Sequence, residues 1–177
     1  MSDGQDAAPV PAAQPAPTKV AGKRSTGRRP ASKSGRRRSR EFALQGLYEW
    51  LIGGADAGVV EAHVREQEGF DKCDVGHFER VLHGAIGEAA AIDEMLRRHV
   101  DRKIEQLSPI EHGVLLIGAW ELGHCIDIPY KVVINEGVEL AKSFGGTDGH
   151  KYVNGVLDKL AVDLRGTEID AARAARG

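Results

Sequence analysis

Four arginines, Arg36, Arg37, Arg38 and Arg40, crowd the entrance of the first apolar helical pattern in the chain. A guanidinium group is a planar fork of donors that fits a phosphate two bonds at a time and keeps its charge at any physiological pH. Such a cluster can clamp a polyanion, RNA in particular, and a neighbouring basic arm can fold on contact with it. The competing reading is a solvated charge run with no specific ligand. Arginines beside the positive end of a helix macrodipole are unfavourably placed, which a bound polyanion would offset.

A second stretch with chemical potential is Gly145-Gly146-Thr147-Asp148-Gly149-His150-Lys151-Tyr152. It is a glycine-rich turn running into a helix, where free amides can receive a phosphate or a base edge. The Tyr152 ring offers a face on which an unpaired base can stack. The segment lacks the glycine and lysine spacing of a nucleotide-hydrolysing phosphate loop, and an ordinary interhelix turn is the alternative. Glu111 with His112, or Asp148 with His150, can be drawn as acid and base, but no nucleophile motif or cofactor fingerprint accompanies either pair. The seven histidines show no metal-ligand spacing, and His124 beside Cys125 has no further obvious ligands. The residues thus argue against an enzyme, a cofactor or a metal centre.

Charge is divided along the chain. Residues 1–40 contain ten Lys or Arg against Asp3 and Asp6, a balance of +8, whereas residues 41–177 carry 14 basic and 24 acidic residues, a balance of −10. A basic arm on an acidic body points to a polyanion met through the arm and excludes a body that coats nucleic acid generally.

The elements that must position these residues are helical. Aromatic residues are 5% of the 177, too few for a typical β-sandwich. Residues 1–35 consist almost wholly of Ala, Pro, Gly, Ser, Thr, Gln, Lys and Arg and cannot bury enough apolar surface to order themselves, so a disordered arm is expected. Leu44, Leu47, Tyr48 and Leu51 mark one face of a first helix that ends at Gly53-Gly54. A shorter helix is expected from about Val59 to Gln67, and one long amphipathic helix from Val75 to about His99. Ser108-Pro109-Ile110-Glu111 supplies a serine cap, proline at the first helical position and a glutamate that reaches back, a strong start signal. The helix it opens, through Leu115, Ile117, Trp120 and Leu122, is apolar nearly all round and belongs at the centre; Trp120, like Tyr130, reads as packing. Pro129 opens another helix that stops at Gly145-Gly146, and Val153, Val156, Leu157, Leu160 and Leu164 mark the last.

The expected fold is therefore all-α, a bundle of about six to seven helices over residues 36–165, with a frayed or only locally helical tail at 166–177. No apolar run reaches the length of a membrane span, and the first thirty residues lack a secretory apolar core, so a soluble, non-exported protein is expected. Cys73 and Cys125, far apart, fit reduced thiols in a cytoplasm.

Three blocks, RRRSREFALQGLYEWL, LSPIEHGVLLIGAWEL and DIPYKVVINEGVELAKSFGGTDGHKYVNGVLDKLA, in this order and spacing, resemble the NusB family of transcription antitermination factors over roughly residues 36–164. The resemblance implies two small helical sub-bundles that bind the boxA element of nascent, single-stranded RNA. It further implies ribosomal protein NusE as partner, with other Nus factors and RNA polymerase engaged through that pair across ribosomal RNA operons in the bacterial cytoplasm. On this chain the arginine-rich motif becomes Arg36, Arg37, Arg38 and Arg40. Tyr48, Asp148, Lys151 and Tyr152 match the other RNA-facing positions, and Glu111 is assigned to the NusE contact. Two features depart from the family pattern: the long extension before residue 36, and Tyr152 in place of the more familiar phenylalanine. Two other readings remain: a homodimeric or protein-interaction module without specific RNA binding, and an accessory domain of the kind that precedes certain RNA cytosine methyltransferases.

Overall fold

A computed structural model describes residues 33–177, and the arm expected to be disordered lies, apart from its last three residues, outside them. Among the described residues there are seven α-helices and no strand: α1 Lys33–Gly53, α2 Ala57–Arg65, α3 Val75–Gly87, α4 Ala89–Leu96, α5 Pro109–His124, α6 Tyr130–Phe144 and α7 Gly149–Ala174. Helix α1 takes in residues 33–35, so helical structure begins ahead of the arginine cluster. The reason is a contact with the start of α3: the Asp74 amide donates to the Gly35 carbonyl at 3.1 Å, and the buried Ser39 hydroxyl donates to the Asp74 carbonyl at 2.7 Å.

Helices α1, α2 and α3 pack together, as do α5, α6 and α7, and α5 joins the two groups through contacts with α1, α3 and α4. The capping box read from the sequence is formed. Ser108 Oγ accepts from the Glu111 amide at 3.1 Å, and Glu111 Oε2 accepts from the Ser108 amide at 3.2 Å. Val114, Leu115, Leu116, Ile117, Ala119, Trp120 and Leu122 are buried on all sides of α5, as its all-round apolarity requires. Glycines let neighbours close on it: a Cβ on Gly84 of α3 would overlap the Trp120 indole, and one on Gly118 or Gly137 would sit under 3 Å from the Leu157 side chain.

Two expectations are corrected. The single long helix expected from Val75 to His99 is two, because Glu88 at φ −106°, ψ 10° breaks the helical run between α3 and α4. Ile92 and Leu96 on α4 remain buried in the core across the break. The tail is also more ordered than expected, since α7 continues to Ala174 across a kink at Arg165, φ −129°, ψ 27°. Buried Ile169 and a buried arginine cap hold it.

That cap is Arg165. Its guanidinium donates to the carbonyls of Leu122 at 2.7 Å, Cys125 at 2.8 Å, Ile128 at 3.2 Å and Glu121 at 3.4 Å. The last carbonyls of a helix have no partner within it, and here a single side chain from α7 satisfies those closing α5. Glu168 completes the clamp, accepting from Arg165 at 2.5 Å and from the Tyr130 amide at 3.0 Å. Burial works against the Glu168 carboxylate, but the Tyr130 amide and the Arg165 charge outweigh it and hold its pKa below the usual range.

Candidate nucleic-acid interface

The four clustered arginines do not share one face. At 100° per residue, Arg37 and Arg38 point outward from α1 while Arg36 and Arg40 turn toward the body. Arg40 is 3% exposed, and its Nε lies 2.9 Å from both carboxylate oxygens of Glu121, itself 1% exposed. No part of this guanidinium is offered to a phosphate, so Arg40 leaves the expected RNA-binding set and becomes a core residue. Its partner Glu121 also meets His77 Nε2 at 2.7 Å. Burial alone would raise the Glu121 pKa, but the hydrogen bond from His77 and the Arg40 charge dominate and lower it.

Arg36 reaches Asp127 at 3.3 Å and Asp74 at 3.8 Å. Arg37 forks onto Glu136 of α6 with two bonds of 3.1 Å; that hydrogen bonding and charge raise its pKa. Arg38 is exposed and, among the described residues, enters none of the ion pairs that hold the other three.

Arg38 lines a groove of about 490 Å³ with Phe42, Leu44, Tyr48, Ile110 and Phe144, and Glu41, Gln45 and Glu68 line it too. Tyr48 is 42% and Phe144 49% exposed. Tyr48 was expected here; Phe144 was not. The sequence shows Phe144 as the last member of an apolar helix face, and the only hint of exposure is its place immediately before Gly145-Gly146, where the helix stops.

The groove leads to the start of α7. A Cβ on Gly145 would lie 3.6 Å from Ile110, and one on Gly149 would lie 3.2 Å from Glu111 Oε1. The N-termini of α5 and α7 are thus neighbours, and the turn expected to face RNA lies on the groove's side of the molecule. Asp148 and Lys151 are both largely exposed and pair with each other at 3.3 Å. Tyr152 is half-buried, and the Arg102 guanidinium lies 4.2 Å from its ring centroid. Burial and the nearby Asp101 carboxylate push the Tyr152 phenol up. One face of the expected stacking ring is therefore already covered by a cation, a contact invisible to sequence patterning because residues 102 and 152 belong to different elements. Glu111 is engaged in its capping box beside Gly149. Among the described residues, no group of three or more His, Cys, Asp or Glu is placed to hold a metal ion, and no helix is long and apolar enough to cross a membrane.

The NusB family model matches residues 37–162, a span that runs from the second clustered arginine through the core part of α7. The chain belongs to the NusB family. It is similar to the transcription antitermination protein NusB of Ralstonia nicotianae, 60% identical over 141 residues that cover 80% of this chain and 91% of that protein. Against the NusB of Acidovorax sp. strain JS42 it is 53% identical over 168 residues, 94% of this chain and 95% of the other. Among solved structures, T. maritima NusB superposes with a TM-score of 0.64 at 27% identity, covering 71% of this chain and 89% of that one. A crystal structure of antitermination factors NusB and NusE in complex with double-stranded RNA shares the fold, with a TM-score of 0.66 at 24% identity over 73% of this chain and 98% of that chain. NusB membership accounts for the all-α architecture.

Proposed function

We propose that this chain is an RNA-binding adaptor of transcription antitermination that grips boxA RNA together with ribosomal protein NusE and promotes processive transcription of ribosomal RNA operons. The observation that carries the reading is the groove itself: the exposed Arg38 beside two exposed rings, Tyr48 and Phe144, continuous with the turn before α7. Guanidinium and ammonium groups at Arg36, Arg37, Arg38 and Lys151 would hold phosphates, which gives affinity without reading sequence. Rings stack on unpaired bases, each worth about 1–3 kcal/mol. Tyr152, packed against the core with Arg102 over its ring, would stack on a base as Arg102 gives way, and Asp148 would meet exocyclic amines of bases. Glu111, at the neighbouring N-termini of α5 and α7, is assigned to the NusE contact, and further Nus factors and RNA polymerase would join through that pair. The reading assigns no catalytic step and places the protein in the bacterial cytoplasm.

With Arg40 buried, Arg36, Arg37, Arg38 and Lys151 remain for the phosphates, and at about 0.7 per phosphate the log–log salt slope on single-stranded RNA is about −3. The test is a titration of boxA RNA and a scrambled RNA with the full chain, with and without NusE. Preferential binding of boxA in the presence of NusE supports the reading, and equal binding of the two RNAs defeats it. The exposed pair Tyr48 and Phe144 also favours a second reading, self-association through the groove. Light scattering with and without RNA decides between them, since a groove-mediated dimer must dissociate when RNA binds.

A further inference from the structure

Building on the RNA-binding reading, we infer that Glu136 is a specificity gate: it occupies Arg37 in place of a phosphate and withholds it from RNAs that lack other contacts to the protein. Arg37 and Glu136 meet through two bonds of 3.1 Å, the bidentate geometry a phosphodiester would adopt on the same fork. Glu136 is not a loose surface carboxylate. Its side chain is 18% exposed and lies 3.8 Å from Nη1 of Arg40, which is itself pinned to Glu121 and, through it, to His77. A chain of hydrogen bonds and ion pairs thus runs from the core to the surface, from His77 through Glu121, Arg40 and Glu136 to Arg37, and fixes the carboxylate in place.

Two consequences follow from this arrangement. When a phosphate takes Arg37, Glu136 keeps Arg40 as a partner, so the exchange leaves no carboxylate without a cation. The incoming phosphate nevertheless approaches a fixed negative charge, and like charges brought together in this way select against weakly held ligands. An RNA that is also stacked on the rings and seated at the turn before α7 can complete the exchange. A random phosphodiester held only by Arg38 and its own counterion release cannot. Arg36 differs, for its contacts to Asp127 at 3.3 Å and Asp74 at 3.8 Å fall on separate carboxylates and neither is bidentate.

The test uses the full chain carrying Glu136→Gln, titrated in the presence of NusE with single-stranded oligonucleotides containing boxA or its scrambled sequence at several KCl concentrations. Glu139→Gln, one turn along α6 and paired with Lys142, controls for loss of one negative charge. The expected result for Glu136→Gln is scrambled RNA bound about three- to tenfold tighter, with a salt slope steeper by about 0.7 as one more phosphate is neutralised. The boxA oligonucleotide gains less, so the preference narrows. Arg37→Ala, which leaves Glu136 on Arg40, is expected to weaken boxA binding while leaving scrambled RNA within about twofold, and it tests the gate should the Gln variant fold poorly. Scrambled RNA unaffected by Glu136→Gln, an effect no larger than that of Glu139→Gln, weakening of both RNAs, or equal loss of both in Arg37→Ala overturns the inference. A wild-type chain without boxA preference defeats the antitermination reading instead, while the Glu136 and Glu139 variants on scrambled RNA still decide the gate.

Discussion

Arg40 and Glu121 face each other in the core, guanidinium Nε 2.9 Å from both carboxylate oxygens, with 3% and 1% of their respective surfaces exposed. An arginine within an arginine-rich cluster is thus a strut between α1 and α5. Removing one member of a buried pair strands the other charge, at a cost of about 3–5 kcal/mol. Arg40→Ala is expected to lower stability by that amount in urea unfolding. The folded fraction should keep the wild-type salt slope for RNA, and a slope shallower by about 0.7 would return Arg40 to the phosphate-binding set.

The same pair sets the acid limb of stability. The Glu121 pKa is lowered in the folded protein, because His77 and Arg40 outweigh the effect of burial. A depressed carboxylate contributes stability that is complete above its unfolded pKa and is lost as pH falls through the folded one. Stability should therefore decline below the ordinary glutamate range. Glu121→Gln, less stable near neutrality, should show a shallower decline there when unfolding free energy is followed against pH. Parallel acid limbs would show that other carboxylates govern the loss.

Within the groove, Arg38→Ala and Phe144→Ala should separate charge from stacking. Arg38→Ala is expected to weaken boxA and scrambled RNA alike and to reduce the salt slope by about 0.7. Phe144→Ala should cost about 1–3 kcal/mol of RNA affinity with the slope unchanged. Because Phe144 is half exposed, its loss should shift the unfolding midpoint little. Fluorescence anisotropy over a salt series reads all of these, and an unchanged affinity in the Phe144 variant would remove that ring from the RNA path.

What the sequence disclosed was whatever depends on neighbours along the chain. The Ser108 and Glu111 capping box, the centrality of α5 and the stop at Gly145-Gly146 follow from residues a few positions apart. The fate of each clustered arginine did not, because Arg40 meets Glu121 81 positions away and Arg37 meets Glu136 99 positions away. Nothing in the run of four distinguishes a surface guanidinium from a core one until the partner helix is in place. The Arg102 cover on Tyr152 was hidden for the same reason, since the two residues are 50 positions apart and belong to different elements.

Gly84 offers a sharp test of the packing between α3 and α5. A Cβ there would overlap three atoms of the Trp120 indole, a rigid ring stacked on His124 at 4.9 Å. The Leu157 methyls that crowd Gly118 and Gly137 can swing aside more readily than an indole. Gly84→Ala should thus cost about 1–3 kcal/mol or more through overpacking, clearly exceeding Gly118→Ala in the same urea series. The reverse order would mean that the Trp120 site relaxes without penalty.

Arg165 carries the last prediction. Its five donors serve the carbonyls of Glu121, Leu122, Cys125 and Ile128 and the Glu168 carboxylate from a single kinked position in α7. Arg165→Ala would remove the donor to the buried Leu122 and Ile128 carbonyls, where each unsatisfied group costs about 1–3 kcal/mol, while the Glu121 and Cys125 carbonyls keep the Cys125 and Ile128 amides. Water entering the vacated space would recover part of this, so a net loss of about 3–5 kcal/mol is expected. Lysine keeps the charge but not the planar fork, and Arg165→Lys should recover less than half of that loss. Because the contacts close α5 and open α6 away from the groove, the folded fraction of either variant should bind RNA as the wild type does. Full stability in the lysine variant would show that charge at the C-terminal end of α5, and not the forked hydrogen bonding, is what holds the helix ends together.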